Sequence, residues 1–231
     1  MPEPVAFYPL NARYKAGEKE NRQPKGILGN VEITNGPYNG PGGAYMFYGT
    51  NSSYIEFPNS GGLDTKFSIT LMCWVQPGGQ DGPLFSYVVD KFTLVSIEFD
   101  RGNFLNLMTI QTSSFGGFTI IIRTTVALPV GKWVHVAASY DYSSGKNSLY
   151  INGRLRALQN IATGYRINTA SQIVRMGVIN QLNGYFKGKI AEMKVYDVAL
   201  NEAQIQTSIR QGSCTFFRNR FRITLSSVSL N

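Results

Sequence analysis

Apolar residues recur at every second position in many short runs of this chain, and no long run follows the 3.6-residue spacing of a helix. Phe67-Ser68-Ile69-Thr70-Leu71-Met72-Cys73-Trp74-Val75 puts Phe67, Ile69, Leu71, Cys73 and Val75 on one face of a strand. Ser68, Thr70, Met72 and Trp74 take the other face, so both faces need cover at the C-terminal end. Trp133 to Tyr140 alternates likewise, with Val134, Val136, Ala138 and Tyr140 together. Further strands are expected at 44–48, 53–57, 84–89, 92–99, 104–110, 118–123, 148–151, 173–178 and 189–196. Their separators are turn chemistry: Pro77-Gly78-Gly79, Arg101-Gly102-Asn103, Gly116-Gly117, Ser144-Gly145 and Asn152-Gly153. Asn152-Gly153 is the strongest hairpin signal, because both residues tolerate the positive φ of a type I′ turn. One short helix is expected over 201–210, with Asn201 as its cap, Gln204 as the capping-box partner, and Gly212 as its end. Many short strands and little helix predict an all-β fold of two packed antiparallel sheets in one domain.

Composition supports that reading. At 43% hydrophobic the chain can fill a core, and at 16% charged it lacks the Glu and Lys that helical bundles need. The net charge is +8, of which Arg218, Arg220 and Arg222 supply three within a stretch, 211–231, that has no acidic residue. Elsewhere the cations are scattered singly, which does not build a nucleic-acid groove. No apolar run approaches the roughly 18 residues of a membrane span. Residues 1–15 lack a basic n-region followed by an apolar h-region, so no signal peptide is read. The chain is then either intracellular or a module of a longer secreted precursor. Cys73 and Cys214 fit no zinc or Cys-x-x-Cys spacing, which leaves one long-range disulfide or two buried thiols.

Four places in order resemble the laminin G-like jelly rolls of the concanavalin A-like lectin/glucanase superfamily. They are Phe7-Tyr8-Pro9-Leu10-Asn11, Ala44 to Phe57, Phe67 to Val75, and Gly131-Lys132-Trp133-Val134-His135-Val136 with Leu149-Tyr150-Ile151-Asn152-Gly153. The closing stretch Phe186 to Ile190 through Tyr196, then Ala199 to Ile205, is similar to the family's last strand and short helix. The resemblance implies a jelly-roll domain over 1–214, a basic tail or linker at 215–231, and an extracellular, secreted setting. In similar family members the chain after the last helix returns to the sandwich and terminal cysteines close it there. The resemblance therefore implies a Cys73–Cys214 disulfide.

The fold hosts lectins, adhesion modules and glycosidases, so the site must decide. Ser96 to Asn103 resembles the E-x-D-x-x-E strand of laminarinase-like glycosidases, and alternation puts Glu98 and Asp100 on one face. The remaining carboxylate falls on Asn103, which cannot act as a general acid. The lone His135 sits inside a structural motif, and no Gly-x-Ser-x-Gly elbow supports a serine triad. The expectation is a non-enzyme, with a β-glucan hydrolase using Glu98 and Asp100 behind it. Relatives often hold calcium at an Ile-Asp-Glu stretch, which here is Ile190-Ala191-Glu192, and the loop 15–25 is rich in Lys and Arg. Asn11 and Glu192 are left as weak ligands for a structural calcium ion.

The expected function is recognition of glycans or matrix components. Candidate binding residues are Tyr38 and Asn39 in one loop and Asn180, Asn183 and Tyr185 in another, since sugars take aromatic faces and amide hydrogen bonds. The plain alternative is that Asn and Gly make the turns and the tyrosines pack half-buried. A protein–protein adhesion module competes, because a low-charge, Tyr-rich surface suits interfaces. The basic tail adds affinity for acidic polysaccharide. Asn51-Ser52-Ser53 is a glycosylation sequon in a turn, where an exposed side chain is expected.

Overall fold

The computed structural model describes residues 1–212 except 90–91, 101, 114–115, 168, 170–171 and 180–183. In chain order the strands are β1 (Ala6–Tyr8), β2 (Ile27–Leu28), β3 (Val31–Thr34), β4 (Ala44–Tyr48), β5 (Ile55–Phe57), β6 (Ile69–Gln80), β7 (Gly82–Val89) and β8 (Phe92–Asp100). They continue as β9 (Phe104–Ser113), β10 (Gly116–Arg123), β11 (Val134–Asp141), β12 (Lys146–Ile151), β13 (Arg154–Asn160), β14 (Arg166–Ile167), β15 (Ile173–Met176) and β16 (Lys187–Tyr196). A 3-10 turn at Pro37–Asn39 and one helix, α1 at 202–212, complete the described elements.

The strands form two antiparallel sheets. The first runs β13-β12-β11-β6-β16-β4-β3 with β1 on β16, and the second runs β10-β9-β8-β7-β15-β5-β2 with β14 on β9. Period-two alternation explains the core between them. Ile69, Leu71, Cys73 and Val75 of β6 and Val134, Val136, Ala138 and Tyr140 of β11 face Val95, Ile97 and Phe99 of β8 and Leu105 and Leu107 of β9. Each of the Val, Leu, Ile and Phe side chains contributes roughly 1.5–3 kcal/mol by leaving water. Aromatic rings extend the core, with Tyr8 on Phe57 at 4.3 Å and Phe47 on Phe186 at 5.9 Å. A second cluster sits on the outer face of the first sheet, where α1 covers Met72, Ala137, Tyr150 and Tyr196 with Leu200 and Ile205. This is the cover that the apolar residues on the second face of β6 demanded.

The helix begins as expected. Gln204 N–H donates to Asn201 Oδ1 at 3.0 Å and Asn201 N–H donates to Gln204 Oε1 at 2.9 Å, the reciprocal bonds of a capping box. The β12–β13 hairpin turns at Asn152 (φ 51°) and Gly153 (φ 73°). Two expectations need correction. Pro77-Gly78-Gly79 does not end a strand: β6 runs through it to Gln80, and the extra residues form a bulge against Lys187 and Gly188 of β16. Phe67 does not join the inner face, because β6 starts at Ile69 and the Phe67 ring is 45% exposed.

The expected Cys73–Cys214 bond finds no support. Cys73 is a free, fully buried thiol that points between the sheets, and burial pushes its pKa well up. The helix that leads toward Cys214 packs on the opposite face of the same sheet, and Cys214 lies outside the described residues. The basic tail lies outside them too. Asn51 is exposed in the turn between β4 and β5, while Ser53 of the sequon is buried with its Oγ accepting from Tyr48 N–H at 2.8 Å.

Candidate functional site

The outer face of the second sheet gathers polar side chains that lie far apart in sequence. Inward Ile55, Phe57, Val174, Tyr87, Val95, Ile97, Leu105 and Ile122 leave the alternate positions of six strands pointing out. Register then aligns them. Glu56 of β5 pairs with Arg175 of β15, Arg175 with Ser86 of β7, and Ser86 with Ser96 of β8. One step along, Glu98 pairs with Asn106 of β9, which pairs with Arg123 of β10. With adjacent strands about 4.8 Å apart, the row from β5 to β10 spans roughly 24 Å.

Hydrogen bonds organise this row. Arg175 Nε donates to Glu56 Oε2 at 2.8 Å, and its Nη2 makes an ion pair with the same oxygen at 2.8 Å. Ser86 Oγ donates to Ser96 Oγ at 2.8 Å, and Ser96 Oγ donates to Glu98 Oε2 at 2.8 Å. Both serines are fully buried despite belonging to the outer face. Burial raises the Glu98 pKa above the ordinary carboxylate value, the Ser96 hydroxyl pulls it back, and Asp100 pushes it up again. At the far end Arg123 lies 4.2 Å from the centroid of Phe104 and donates to Asp100 O at 3.4 Å. Asn106 Oδ1 is buried without a protein partner. Carboxylates, guanidiniums and one ring are acceptors, donors and a stacking surface of the kind a polyhydroxylated ligand uses, and the buried hydroxyls of Ser86 and Ser96 hold Glu98 from behind.

Glu98 and Asp100 share this face, as alternation requires. Asn103 sits in the β8–β9 turn at φ 65°, buried, with its Oδ1 unpartnered. His135 is buried on β11 against Trp74, rings 5.4 Å apart, and burial holds its pKa down at about 3. A surface groove of about 420 Å³ beside β13, lined by residues such as Val126, Leu128, Ile151 and Leu155, is largely apolar.

Tyr38 and Tyr185, the described tyrosines of the two loops singled out in the sequence, lie apart. Tyr38, at φ 65°, packs edge-on against Trp74 at 5.4 Å on the outer face of the first sheet. Trp74 pairs with Ala191, whereas Tyr185 precedes the start of β16 at Lys187, roughly 20 Å of strand away. The side chain of Asn39 and all of Asn180 and Asn183 lie outside the described residues. Asn11 Oδ1 accepts from the backbone of Arg13 at 3.1 Å and Tyr14 at 3.0 Å. Glu192 N–H donates to Pro9 O at 3.3 Å, so the two calcium candidates lie on neighbouring segments. Burial raises the Glu192 pKa, and only the Lys194 ammonium opposes it. Among the described residues no group of three or more His, Cys, Asp or Glu is arranged to hold a metal ion. The acidic residue that does organise the N-terminal loop is Glu18, missed in the sequence among its basic neighbours. Its buried carboxylate accepts from the backbone of Phe7, Glu20 and Arg22 at 2.9–3.1 Å.

The profile of the concanavalin A-like lectin/glucanases superfamily matches residues 49–206, and the chain belongs to that superfamily. Solved structures share the fold. Domain 4 of AbnA, an extracellular arabinanase from Geobacillus stearothermophilus in complex with arabinotriose, is 23% identical with a TM-score of 0.68, over 89% of this chain and 97% of that one. The botulinum neurotoxin serotype G binding domain is 14% identical with a TM-score of 0.69, over 91% of this chain and 51% of the other. The binding domain of Paraclostridial Mosquitocidal Protein 1 is 15% identical with a TM-score of 0.69, over 88% and 51%. The chain thus spans about half the length of those toxin domains. No curated protein sequence matches it. No described helix is long and apolar enough to cross a membrane.

Proposed function

We propose that this chain is a non-catalytic, extracellular carbohydrate-recognition module that binds a neutral glycan across the outer face of its second sheet. The observation that carries the reading is the Ser86–Ser96–Glu98 hydroxyl–carboxylate chain, flanked by the Glu56–Arg175 pair and by Arg123 on Phe104. Such groups are fixed by their neighbours before a ligand arrives, which lowers the entropic cost of binding. The carboxylates of Glu56, Glu98 and Asp100 accept sugar hydroxyls and disfavour a polyanionic chain. Hydrolysis is not assigned to the site. Glu98 Oε2 is engaged by Ser96, and the position of a further catalytic carboxylate is Asn103, held in a buried turn.

A glycan array probed with and without calcium tests the reading, with arabinan oligosaccharides among the first probes because a domain of the same fold is in complex with arabinotriose. Binding to a neutral glycan that falls at least tenfold in Glu98→Ala and Arg175→Ala supports it. Hydrolysis of a β-glucan lost in Glu98→Gln overturns the non-catalytic part. Calcium dependence assigns the Asn11 and Glu192 region a structural ion, and its absence removes that candidate.

A further inference from the structure

Contacts fix the course of α1 over the outer face of the first sheet. Leu200 N–H, just before the helix, donates to Thr70 Oγ1 at 2.9 Å, and Gln206 Nε2 donates to Gly153 O at 3.1 Å. Ser208 Oγ accepts from Lys194 Nζ at 2.8 Å, and a Cβ built on Gly212 would stand 2.7 Å from Glu192 Oε2. Register ranks these partners along the sheet: Thr70 lies beside Ser139 and Tyr196, Met72 beside Ala137 and Lys194, and Trp74 beside His135 and Ala191. The helix therefore runs along β6 from the level of Thr70, past Met72, to Glu192. It rises about 16 Å, and the strand from Thr70 to Trp74 rises about 13 Å. The chain leaving Gly212 is thus delivered to the level of Trp74. Trp74 lies one level beyond Met72 and Ala137, which α1 covers, and it stays half-buried. The His135 and Tyr38 rings each meet it edge-on at 5.4 Å. Tyr38 holds its place at φ 65°, a backbone conformation that tyrosine disfavours. His135 is buried and its Nδ1 has no partner, a deficit that folded chains seldom leave in place.

We propose that the chain's own residues 213–217, Ser-Cys-Thr-Phe-Phe, seat on this patch, with a ring of the Phe216-Phe217 pair against Trp74 and a polar group of the segment paired with His135 Nδ1. Extended, the segment spans about 16 Å, which is ample from Gly212 to the Trp74 level. The tether to α1 makes the contact intramolecular and so favours it over any separate molecule. The patch also continues the interface that α1 already makes with the same sheet face. The domain then closes at Phe217, and the basic run Arg218, Arg220 and Arg222 begins at its edge.

Trp74 and Trp133 are the two tryptophans of the chain, so in the full chain carrying Trp133→Phe the fluorescence reports Trp74 alone. Adding Phe216→Ser and Phe217→Ser together raises acrylamide quenching of Trp74 about twofold and moves its emission to the red, as ring surface passes to water. Phe221→Ser changes neither. Proton NMR of the full chain with both tryptophans intact gives a second reading, because His135 is the one histidine. The double Phe variant shifts the His135 ring resonances, and Phe221→Ser leaves them in place. The proposal is overturned if the double Phe variant leaves both the quenching and the resonances unchanged, or if Phe221→Ser exposes Trp74 equally. Protection of Trp74 that is lost on dilution assigns the cover to a second molecule and also overturns it. No ligand takes part, so this outcome is independent of the glycan reading.

Discussion

Replacing Ser96 with alanine removes the middle member of the hydroxyl chain and costs more than one hydrogen bond. Ser86 Oγ loses its acceptor and Glu98 Oε2 loses its donor, both at 2.8 Å. A buried polar group left without a partner costs about 1–3 kcal/mol. Ser86 can turn its hydroxyl elsewhere, so it takes the low end, and the carboxylate takes the middle, for a total of about 2–3 kcal/mol. In a domain of this size that is a fall in Tm of roughly 5–10 °C. The loss depends on pH. The folded-state pKa of Glu98 is raised, so its contribution is fully present below the ordinary carboxylate pKa and is lost as pH rises through the folded value. Removing the Ser96 donor raises that value further, so the deficit of Ser96→Ala against wild type is larger at pH 7 than at pH 4. Differential scanning calorimetry at both pH values measures it, with Ser86→Ala and the double variant completing a cycle. The double variant loses less than the sum of the singles, because Ser86 no longer has a partner to lose. A Ser96→Ala Tm within about 1 °C of wild type at pH 7 would refute the buried chain.

Three further outcomes are expected. His135 is the one histidine of the chain, so its imidazole resonance is unambiguous in a proton NMR titration, and it stays unprotonated from pH 8 to pH 5 because burial holds its pKa at about 3. Its neutral form contributes stability above the usual histidine pKa that is lost as pH falls toward the folded value, and a midpoint between pH 6 and 7 contradicts the packing against Trp74. Gly177→Ala destabilises by at least 2 kcal/mol in urea unfolding, since φ is +86° and a Cβ there would stand 2.5 Å from Phe47 Cδ1 and 2.6 Å from Ser53 O; an unchanged midpoint would show that the β15 exit is not fixed. Alkylation without reduction followed by mass spectrometry finds two thiols in the unfolded protein and an unreactive Cys73 in the native one, whereas a 73–214 crosslink contradicts the face assignment of Cys73.

The strands that bury one face were legible because burial enforces alternation: Val134, Val136, Ala138 and Tyr140 stand where the pattern puts them. The Asn152-Gly153 turn announced a returning strand, but the extent of the edge strand β13 was not legible, because every one of its residues except Ala157 is exposed and nothing forces a period on Arg-Leu-Arg-Ala-Leu-Gln-Asn. The short surface strands β2 and β3 escaped for the same reason. Phe67 obeyed the pattern in sequence and broke it in space, because the strand begins two residues later. The candidate site was legible only at Glu98 and Asp100, which lie on one strand. Glu56, Ser86, Ser96, Asn106 and Arg175 are ordinary polar residues at alternate positions of separate strands, and only pairing register brings them together. Tyr38 and Tyr185 had the right chemistry for a sugar site, but Tyr38 packs on Trp74 opposite Ala191 in the middle of β16, whereas Tyr185 lies before that strand begins.

The central claim is a location, and chemical-shift mapping with a saturating neutral oligosaccharide, chosen from the array, tests it most directly. The account predicts that amide shifts concentrate on Glu56, Ser86, Ser96, Glu98, Asn106, Arg123 and Arg175, and that Glu98→Ala erases them. Shifts confined to the Tyr38 and Tyr185 loops, with the second-sheet face unmoved, would contradict it.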